Sequence, residues 1–146
     1  KATISIWALN ERKSTDGEWK GLITTQDNNK RGFLIQDNQG MKYWGTVSNG
    51  SGYYNLTSTT QINNSKWVHL VLTIDNGKMA LFVNGKQEAT TTLSSYVLKS
   101  GAKLNIGSRY SNEFFKGKLD DVGIWNRALT NSEITACSGV LKNINS

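Results

Sequence analysis

The segment KWVHLVLTIDNGKMALFVNGK, residues 66–86, constrains the fold of this chain more than any other. Its apolar and polar positions alternate, and a period of two predicts β-strands with one buried face. The aliphatic positions of its first half are Val68, Leu70, Leu72 and Ile74. Asn-Gly pairs at 76–77 and 84–85 suit the left-handed conformation of tight hairpin turns. The segment and the following QEATTT, residues 87–92, therefore predict a three-stranded β-meander.

Shorter alternating stretches occur along the rest of the chain, separated by Gly, Asn, Asp and Ser. Further strands are predicted over residues 2–9, 21–25, 32–36, 41–47, 53–59, 103–108 and 118–125. One short helix is predicted near the C-terminus, because Thr130 and Glu133 have the spacing of a capping box. About nine strands and one helix are typical of an antiparallel β-sandwich. We expect residues 1–146 to form this single all-β domain.

Composition and charge exclude several classes of function. The net charge is +6, from 17 basic and 11 acidic residues, and the basic residues are scattered along the sequence. A surface that follows nucleic-acid phosphates needs clustered Lys and Arg, so we predict no nucleic-acid partner. No apolar run approaches the roughly 20 residues of a membrane helix, so we predict no membrane insertion. The single cysteine, Cys137, cannot form an internal disulfide.

Two adjacent aspartates lie in the predicted strand KLDDVGIW, residues 118–125. Strict alternation places Asp120 with Val122 and Ile124 on one face, and Asp121 on the opposite face. Carboxylates that point to opposite sides cannot act as the acid and base of glycoside hydrolysis, which needs both beside one bond. Most of the remaining acidic residues lie in predicted turns. The sequence therefore predicts a binding protein that is not an enzyme.

Aromatic side chains next to polar ones provide the candidate binding residues. Sugar rings stack their apolar faces on Trp or Tyr, and their hydroxyls bond to amide, carboxyl and guanidinium groups. The predicted carbohydrate-binding residues are Trp19, Tyr43, Trp44, Tyr53, Tyr54, Arg109, Tyr110 and Asn112. The alternative is a core role, since one member of each of the pairs 43–44 and 53–54 must face inward. His69 is interpreted as a buried sheet histidine, and Trp7, Trp67 and Trp125 as structural.

The ordered motifs TISIWAL, WVHLVLTIDNGKMALFVNGK, GSR and GKLDDVGIWNRALTNSEI carry a family resemblance. With them the chain resembles a laminin G-like domain of the concanavalin A-like lectin/glucanase superfamily. The resemblance implies a jelly-roll sandwich of two antiparallel sheets. It also implies a module of a larger secreted or cell-surface protein, typically bacterial, with neighbouring domains and a polysaccharide or glycan as partners. Such domains often hold one structural calcium ion, and Asp120 matches the position of a calcium ligand.

The resemblance leaves alternatives open. Members usually begin with an earlier strand that pairs with the C-terminal one, so that strand either precedes residue 1 or is not needed. A glycan-binding module is the first functional hypothesis, and an adhesion or spacer module that contacts protein is the second. A polysaccharide hydrolase or lyase is the weakest, because the Glu-x-Asp-x-x-Glu arrangement of the related hydrolases is absent from the sequence.

Overall fold

A computed structural model describes residues 1–17, 19–26, 31–93, 103–110 and 112–139. Within these ranges the chain forms twelve strands, a short 3₁₀ helix at Ser14–Asp16 and the helix α1 at Asn131–Gly139. The strands are β1 (Ala2–Asn10), β2 (Lys20–Thr24), β3 (Arg31–Asp37), β4 (Lys42–Asn49), β5 (Tyr53–Gln61), β6 (Trp67–Asp75), β7 (Lys78–Val83), β8 (Lys86–Thr92), β9 (Asn105–Ile106), β10 (Ser108–Arg109), β11 (Glu113–Phe114) and β12 (Gly117–Trp125). None of the described helices is long and apolar enough to cross a membrane.

The strands form two sheets. The first sheet has the order β12-β1-β6-β7-β8, and the second has the order β10-β11-β2-β3-β4-β5, with β9 also paired to β2. Neighbouring strands are antiparallel, apart from the short parallel contact of β11 with β2. This arrangement confirms the predicted antiparallel sandwich.

The central meander forms as its turn residues predict. Asn76 and Gly77 have φ of 44° and 80°, and Asn84 and Gly85 have φ of 51° and 81°. Two consecutive residues with positive φ give a turn whose twist matches that of the flanking strands. The turns therefore set the register of β6, β7 and β8, which directs alternate side chains of β6 into the core.

The core lies between the two sheets. Leu70 and Leu72 of β6 and Leu81 of β7 are fully buried and face the second sheet. Gly45 of β4 lies opposite them, and a Cβ atom built on it would be 2.7 Å from Leu72 Cδ1 and 3.4 Å from Leu81 Cδ1. Burial of each leucine stabilises the fold by about 1.5–3 kcal/mol. The absence of a side chain at position 45 therefore lets two leucines pack against the β4 backbone.

A buried ion pair joins the sheets beside the β1–β2 loop. Arg12 and Asp37 have fully buried side chains and form a salt bridge, although Arg12 lies in the connection between β1 and β2. Asn10 Nδ2 donates to Asp37 Oδ2 at 2.7 Å. Burial raises the pKa of Asp37 to about 6, while Asn10 and Arg12 act in the opposite direction. Loss of either charged partner would leave an uncompensated buried charge, which costs about 3–5 kcal/mol.

The helix α1 covers part of the outer face of the first sheet. Ile134 and Leu129 pack there against Val71 and Phe82. The predicted capping box is confirmed: Glu133 N donates to Thr130 Oγ1 at 3.2 Å, and Thr130 N donates to Glu133 Oε2 at 2.8 Å. These reciprocal bonds satisfy backbone N–H groups at the start of the helix.

The outer face of the first sheet also buries His69. Its Nε2 lies 2.7 Å from Ser5 Oγ, and its ring centroid lies 5.0 Å from that of Trp7. Burial lowers the pKa of His69 to about 4, and the charge of Asp121 opposes this effect. The structure confirms the interpretation of His69 as a buried sheet histidine, bonded at one ring nitrogen. Trp7 is buried beside it, and Trp125 packs against the cluster of Val71, Phe82, Leu129 and Ile134.

The structure overturns the predicted alternation of strand β12. Ser5 pairs with Gly123, whereas Trp7 pairs with Asp120, so Ile6 faces two residues instead of one. This is a β-bulge, and Asp121 within it has a φ of 45°. The extra residue in β12 breaks the alternation of its side chains between the two faces of the sheet. The prediction that Asp120 and Asp121 alternate to opposite faces of a regular strand is therefore wrong.

The predicted strand over 103–108 is also corrected. It is divided into β9 and β10 at Gly107, whose φ is 81°. Strand β11 was not predicted, because two residues are too few for a visible period. β12 pairs with β1, and the earlier strand suggested by the resemblance stays a prediction.

We expect Gly45→Val to lower the free energy of unfolding by about 1–3 kcal/mol, because the new side chain must displace Leu72. Urea denaturation followed by tryptophan fluorescence measures this change. Gly52→Ala is the matched control, since a Cβ atom at Gly52 has no heavy atom within 4 Å. Equal stability of the two variants would contradict the close approach of the sheets at Gly45.

We also expect His69 to contribute to acid destabilisation. Its pKa is about 4 in the folded chain against 6.5 for the free group, so the unfolded chain binds more protons between these values. The His69 contribution to stability is present above pH 6.5 and is lost as the pH falls toward 4, a change on the order of 3 kcal/mol. His69→Gln should remove this dependence in urea titrations. Because His69 is the only histidine, NMR titration of its imidazole gives its pKa directly, and a value near 6.5 would refute the expectation.

Candidate functional site

An open groove of about 280 Å³ lies on the outer face of the second sheet. Its lining combines aromatic, amide, hydroxyl and guanidinium groups. The lining residues are Trp19, Leu34, Gln36, Trp44, Thr46, Tyr53, Asn55 and Arg109. Four of the predicted binding residues are therefore brought together in one place: Trp19, Trp44, Tyr53 and Arg109.

Strands β3, β4 and β5 supply most of the groove. Cross-strand pairing aligns Gln36 with Trp44, and Thr46 with both Leu34 and Asn55. Because side chains alternate along a strand, these residues point outward while their chain neighbours fill the core. Those inward neighbours are Phe33, Ile35, Tyr43, Val47, Tyr54 and Leu56. The groove and the core therefore occupy the two faces of the same three strands.

Two indole rings form one side of the groove. The ring centroids of Trp19 and Trp44 are 4.5 Å apart, with an angle of 67° between the ring planes. Trp44 Nε1 is buried and has no hydrogen-bond partner among the described residues. Tyr53 is 40% exposed and lines the same groove. The arrangement offers partly accessible aromatic surface to a ligand.

Arg109 provides the charged side of the groove. Its Nη1 donates to Gln36 Oε1 at 3.3 Å and lies 3.4 Å from Glu113 Oε2. Its guanidinium carbon is 5.0 Å from the centroid of the Tyr110 ring. Backbone packing sets this position, because a Cβ atom built on Gly21 of β2 would be 2.4 Å from Arg109 N. Glycine at position 21 therefore lets β10 approach β2 closely enough to place Arg109 beside the groove.

Two predicted binding residues face away from the groove. Tyr43 is only 1% exposed and belongs to the core, and burial raises its pKa. Tyr54 packs against the same core. As the alternative interpretation required, one member of each aromatic pair faces inward, so neither of these tyrosines can contact a ligand in the groove.

The other two predicted residues lie outside the groove lining. Tyr110 donates from its hydroxyl to Gln26 Oε1 at 3.1 Å, and Asn112 is exposed. The lining residues that sequence reasoning missed are Leu34, Gln36, Thr46 and Asn55. Strand alternation could have identified them, because each lies two residues from another outward-facing residue of the same strand.

Asp120, the predicted calcium ligand, is exposed and lies beside the bulge of β12. Its Oδ1 accepts the N–H of Asp121 at 2.8 Å. No group of three or more His, Cys, Asp or Glu suited to a metal ion occurs among the described residues. Calcium takes six to eight oxygen ligands in proteins, from carboxylates, backbone and amide carbonyls and waters. Calcium at Asp120 stays a prediction of the resemblance.

A second pocket, of about 340 Å³, lies on the outer face of the first sheet beside the bulge. Its lining includes Ser5, Trp7, His69, Asp121 and Cys137. The bulge therefore brings Asp121 to the same face as the buried Ser5–His69 pair. Among the described residues, Asp121 is the one carboxylate in the lining of this pocket.

Comparisons with known proteins place the chain in a family. A family model described as the concanavalin A-like lectin/glucanases superfamily matches residues 1–135. Usherin of Rattus norvegicus is 24% identical over 147 residues, which cover 90% of this chain and 3% of usherin. Pentraxin-related protein PTX3 of Mus musculus is 30% identical over 99 residues, which cover 58% of this chain and 26% of PTX3. The chain therefore spans a small part of the length of these relatives.

Solved structures share the fold. The CBM40 domain of the Ruminococcus gnavus IT-sialidase, bound to α2,3-sialyllactose, matches with a TM-score of 0.78 and 19% identity, over 94% of this chain and 82% of that one. Domain 4 of AbnA, an extracellular arabinanase from Geobacillus stearothermophilus in complex with arabinotriose, matches with a TM-score of 0.74 and 23% identity, over 94% and 66%. The predicted jelly-roll architecture is confirmed. The chain belongs to the concanavalin A-like lectin/glucanases superfamily, as a laminin G-like domain.

Proposed function

We propose that the chain is a non-catalytic carbohydrate-binding module and that the groove on the second sheet holds the glycan. The observation that carries the proposal is the meeting of Trp19, Trp44 and Tyr53 with the polar groups of Gln36 and Arg109 in one open groove. Indole and phenol rings stack on the C–H faces of sugars, and amide and guanidinium groups bond to sugar hydroxyls. A groove of about 280 Å³ suits a short stretch of a glycan.

The sugar-bound neighbours support this proposal. One was solved with sialyllactose and the other with arabinotriose, and each shares the sandwich of this chain. We extend the proposal to the setting of the domain. The small share of usherin and PTX3 that the chain matches supports a module of a longer protein, with neighbouring domains as partners. Secretion or display at the cell surface is part of the proposal.

The charges of the groove support a role without catalysis. Glycoside hydrolysis uses two carboxyl groups, roughly 5 to 9 Å apart, on either side of the scissile bond. Among the described residues the groove lining contains no Asp or Glu, and Glu113 contacts the lining side chain of Arg109. The described lining therefore offers groups that bind and orient a sugar, and it holds no carboxylate pair of the kind that hydrolysis uses.

A second candidate function is adhesion to protein. Three apolar side chains near the β9 and β11 edge are exposed, Leu104 by 46%, Ile106 by 51% and Phe114 by 61%. Ile106 pairs with Ile23 and Phe114 pairs with Gly21, so both flank the same strand β2. Contiguous exposed apolar side chains are a feature of protein contact sites. Phe114→Ser would abolish a contact of this kind and leave glycan binding intact.

We expect Trp19→Ala and Trp44→Ala each to weaken glycan binding about tenfold, the factor that a loss of about 1.4 kcal/mol produces. The physical reason is the removal of stacking surface from the groove. Affinity gel electrophoresis on a panel of soluble polysaccharides measures binding as retardation of the protein band.

Trp67→Ala is the matched control, because Trp67 is a partly buried tryptophan of the first sheet and lies outside the groove. Circular dichroism should show that all three variants keep the fold. If both groove variants were retarded as strongly as the wild type, the binding site would lie outside the groove. No retardation of the wild type on any polysaccharide would refute the proposed function.

A further inference from the structure

We propose that the groove selects glycans that carry carboxylate groups, and that Arg109 pairs with the carboxylate. This inference rests on the proposed function, because it names the class of glycan that the same groove takes.

The charge of the lining is the first observation. Arg109 is the only charged residue among the eight that line the groove. An arginine remains protonated at all relevant pH values and presents five N–H donors in a planar fork. Most of the remaining lining is uncharged aromatic and amide surface. The described part of the lining therefore carries one positive charge, which the neighbouring Glu113 partly offsets.

The direction of the hydrogen bonds is the second observation. Arg109 can only donate, so its bond to Gln36 engages the amide oxygen and leaves the Gln36 N–H₂ group as the free donor. Asn55 Oδ1 is likewise engaged by Thr46 Oγ1 at 2.9 Å. The indole nitrogens of Trp19 and Trp44 are donors only. Each of these amide oxygens already accepts one hydrogen bond, so the groove offers more donors than acceptors, and a carboxylate is an anionic glycan group that only accepts.

The way in which Arg109 is held is the third observation. Its Nη1 contacts are long, 3.3 Å to Gln36 and 3.4 Å to Glu113, and Arg109 Nε is buried without a hydrogen-bond partner among the described residues. A charge-assisted bond between guanidinium and carboxylate is normally about 2.7–2.9 Å long and often bidentate. The Tyr110 ring supports the guanidinium 5.0 Å away. A ligand carboxylate would thus make shorter bonds with Arg109 than its present partners do.

Glu113 competes with the ligand. Its Oε2 is 3.4 Å from Arg109 Nη1, and its negative charge partly offsets the positive charge of Arg109. Glu113 itself is outside the groove lining. Bringing a ligand carboxylate beside Glu113 costs repulsion, so removal of the Glu113 charge should strengthen binding of an acidic glycan. Removal of the Arg109 charge should weaken it. If Arg109 and Glu113 formed only a structural ion pair, removing either charge would not have opposite effects on the binding of acidic glycans.

The test compares each acidic polysaccharide with its carboxyl-reduced form, in which every uronate carboxylate is a primary alcohol. Polygalacturonate, alginate and hyaluronan are the probes, and affinity electrophoresis gives a dissociation constant for each pair. We expect at least one of the acidic forms to bind tenfold or more tightly than its reduced partner. Trp44→Ala should weaken binding of that acidic form, which ties it to the groove.

Variants of the charged residues complete the test. We expect Arg109→Gln to abolish the preference for the acidic form, Arg109→Lys to keep part of it, and Glu113→Gln to increase it severalfold. Lys86→Gln is the control for net charge, because it removes one positive charge from the exposed start of β8, outside the groove. It should leave the preference unchanged.

The outcomes separate the two proposals. Equal binding of the acidic and reduced forms, with sensitivity to Trp44→Ala, would overturn the carboxylate inference and leave the glycan-binding function standing. An equal effect of Lys86→Gln and Arg109→Gln, or binding of dextran sulfate as tight as that of the best acidic glycan, would show general charge attraction and also overturn the inference. Binding of no polysaccharide at all would overturn both proposals.

Discussion

The close contact between the two sheets is the constraint on which the other features depend. Leu72 and Leu81 of the first sheet pack on the β4 backbone at Gly45, where a side chain would collide with them. This contact fixes which face of β4 is inward. Because strand neighbours alternate, it also fixes Trp44 and Thr46 as outward-facing residues. The binding groove is thus determined by the packing on the other side of its own strands.

Long-range contacts place the rest of the groove. The buried Arg12–Asp37 ion pair anchors the chain between β1 and β2, and Trp19 lies at the end of that connection. Gly21 then allows β10 to lie against β2, which carries Arg109 to the groove. Residues separated by 90 positions in the sequence therefore meet because of one ion pair and one missing side chain. Each is a backbone-positioning feature with no direct contact to a ligand.

Features that depend on residues close in the sequence were predictable, and features that depend on long-range strand pairing were not. The meander, its Asn-Gly turns and the Thr130–Glu133 capping box were predictable because their signals lie within a few residues. The bulge at Asp121 was not, since it depends on how β12 pairs with β1. Aromatic composition indicated the region of the candidate site. Only the register of β4 and β5 shows that Trp44 faces the groove while Tyr43 is buried in the core. Arg109 was predicted as a binding residue, but its place beside Gln36 was not predictable because it depends on the position of β10.

The division of β3, β4 and β5 into an inward and an outward face has a consequence for how this domain can diversify. Substitutions at the exposed outward positions Tyr53 and Asn55 can change ligand preference with little penalty to folding, because these side chains remain open to solvent. A single-residue insertion or deletion within these strands would instead exchange the two faces and send Trp44 into the dry interior. Variation among descendants of this domain should therefore accumulate as point replacements at alternate positions, with changes in length confined to the connecting loops.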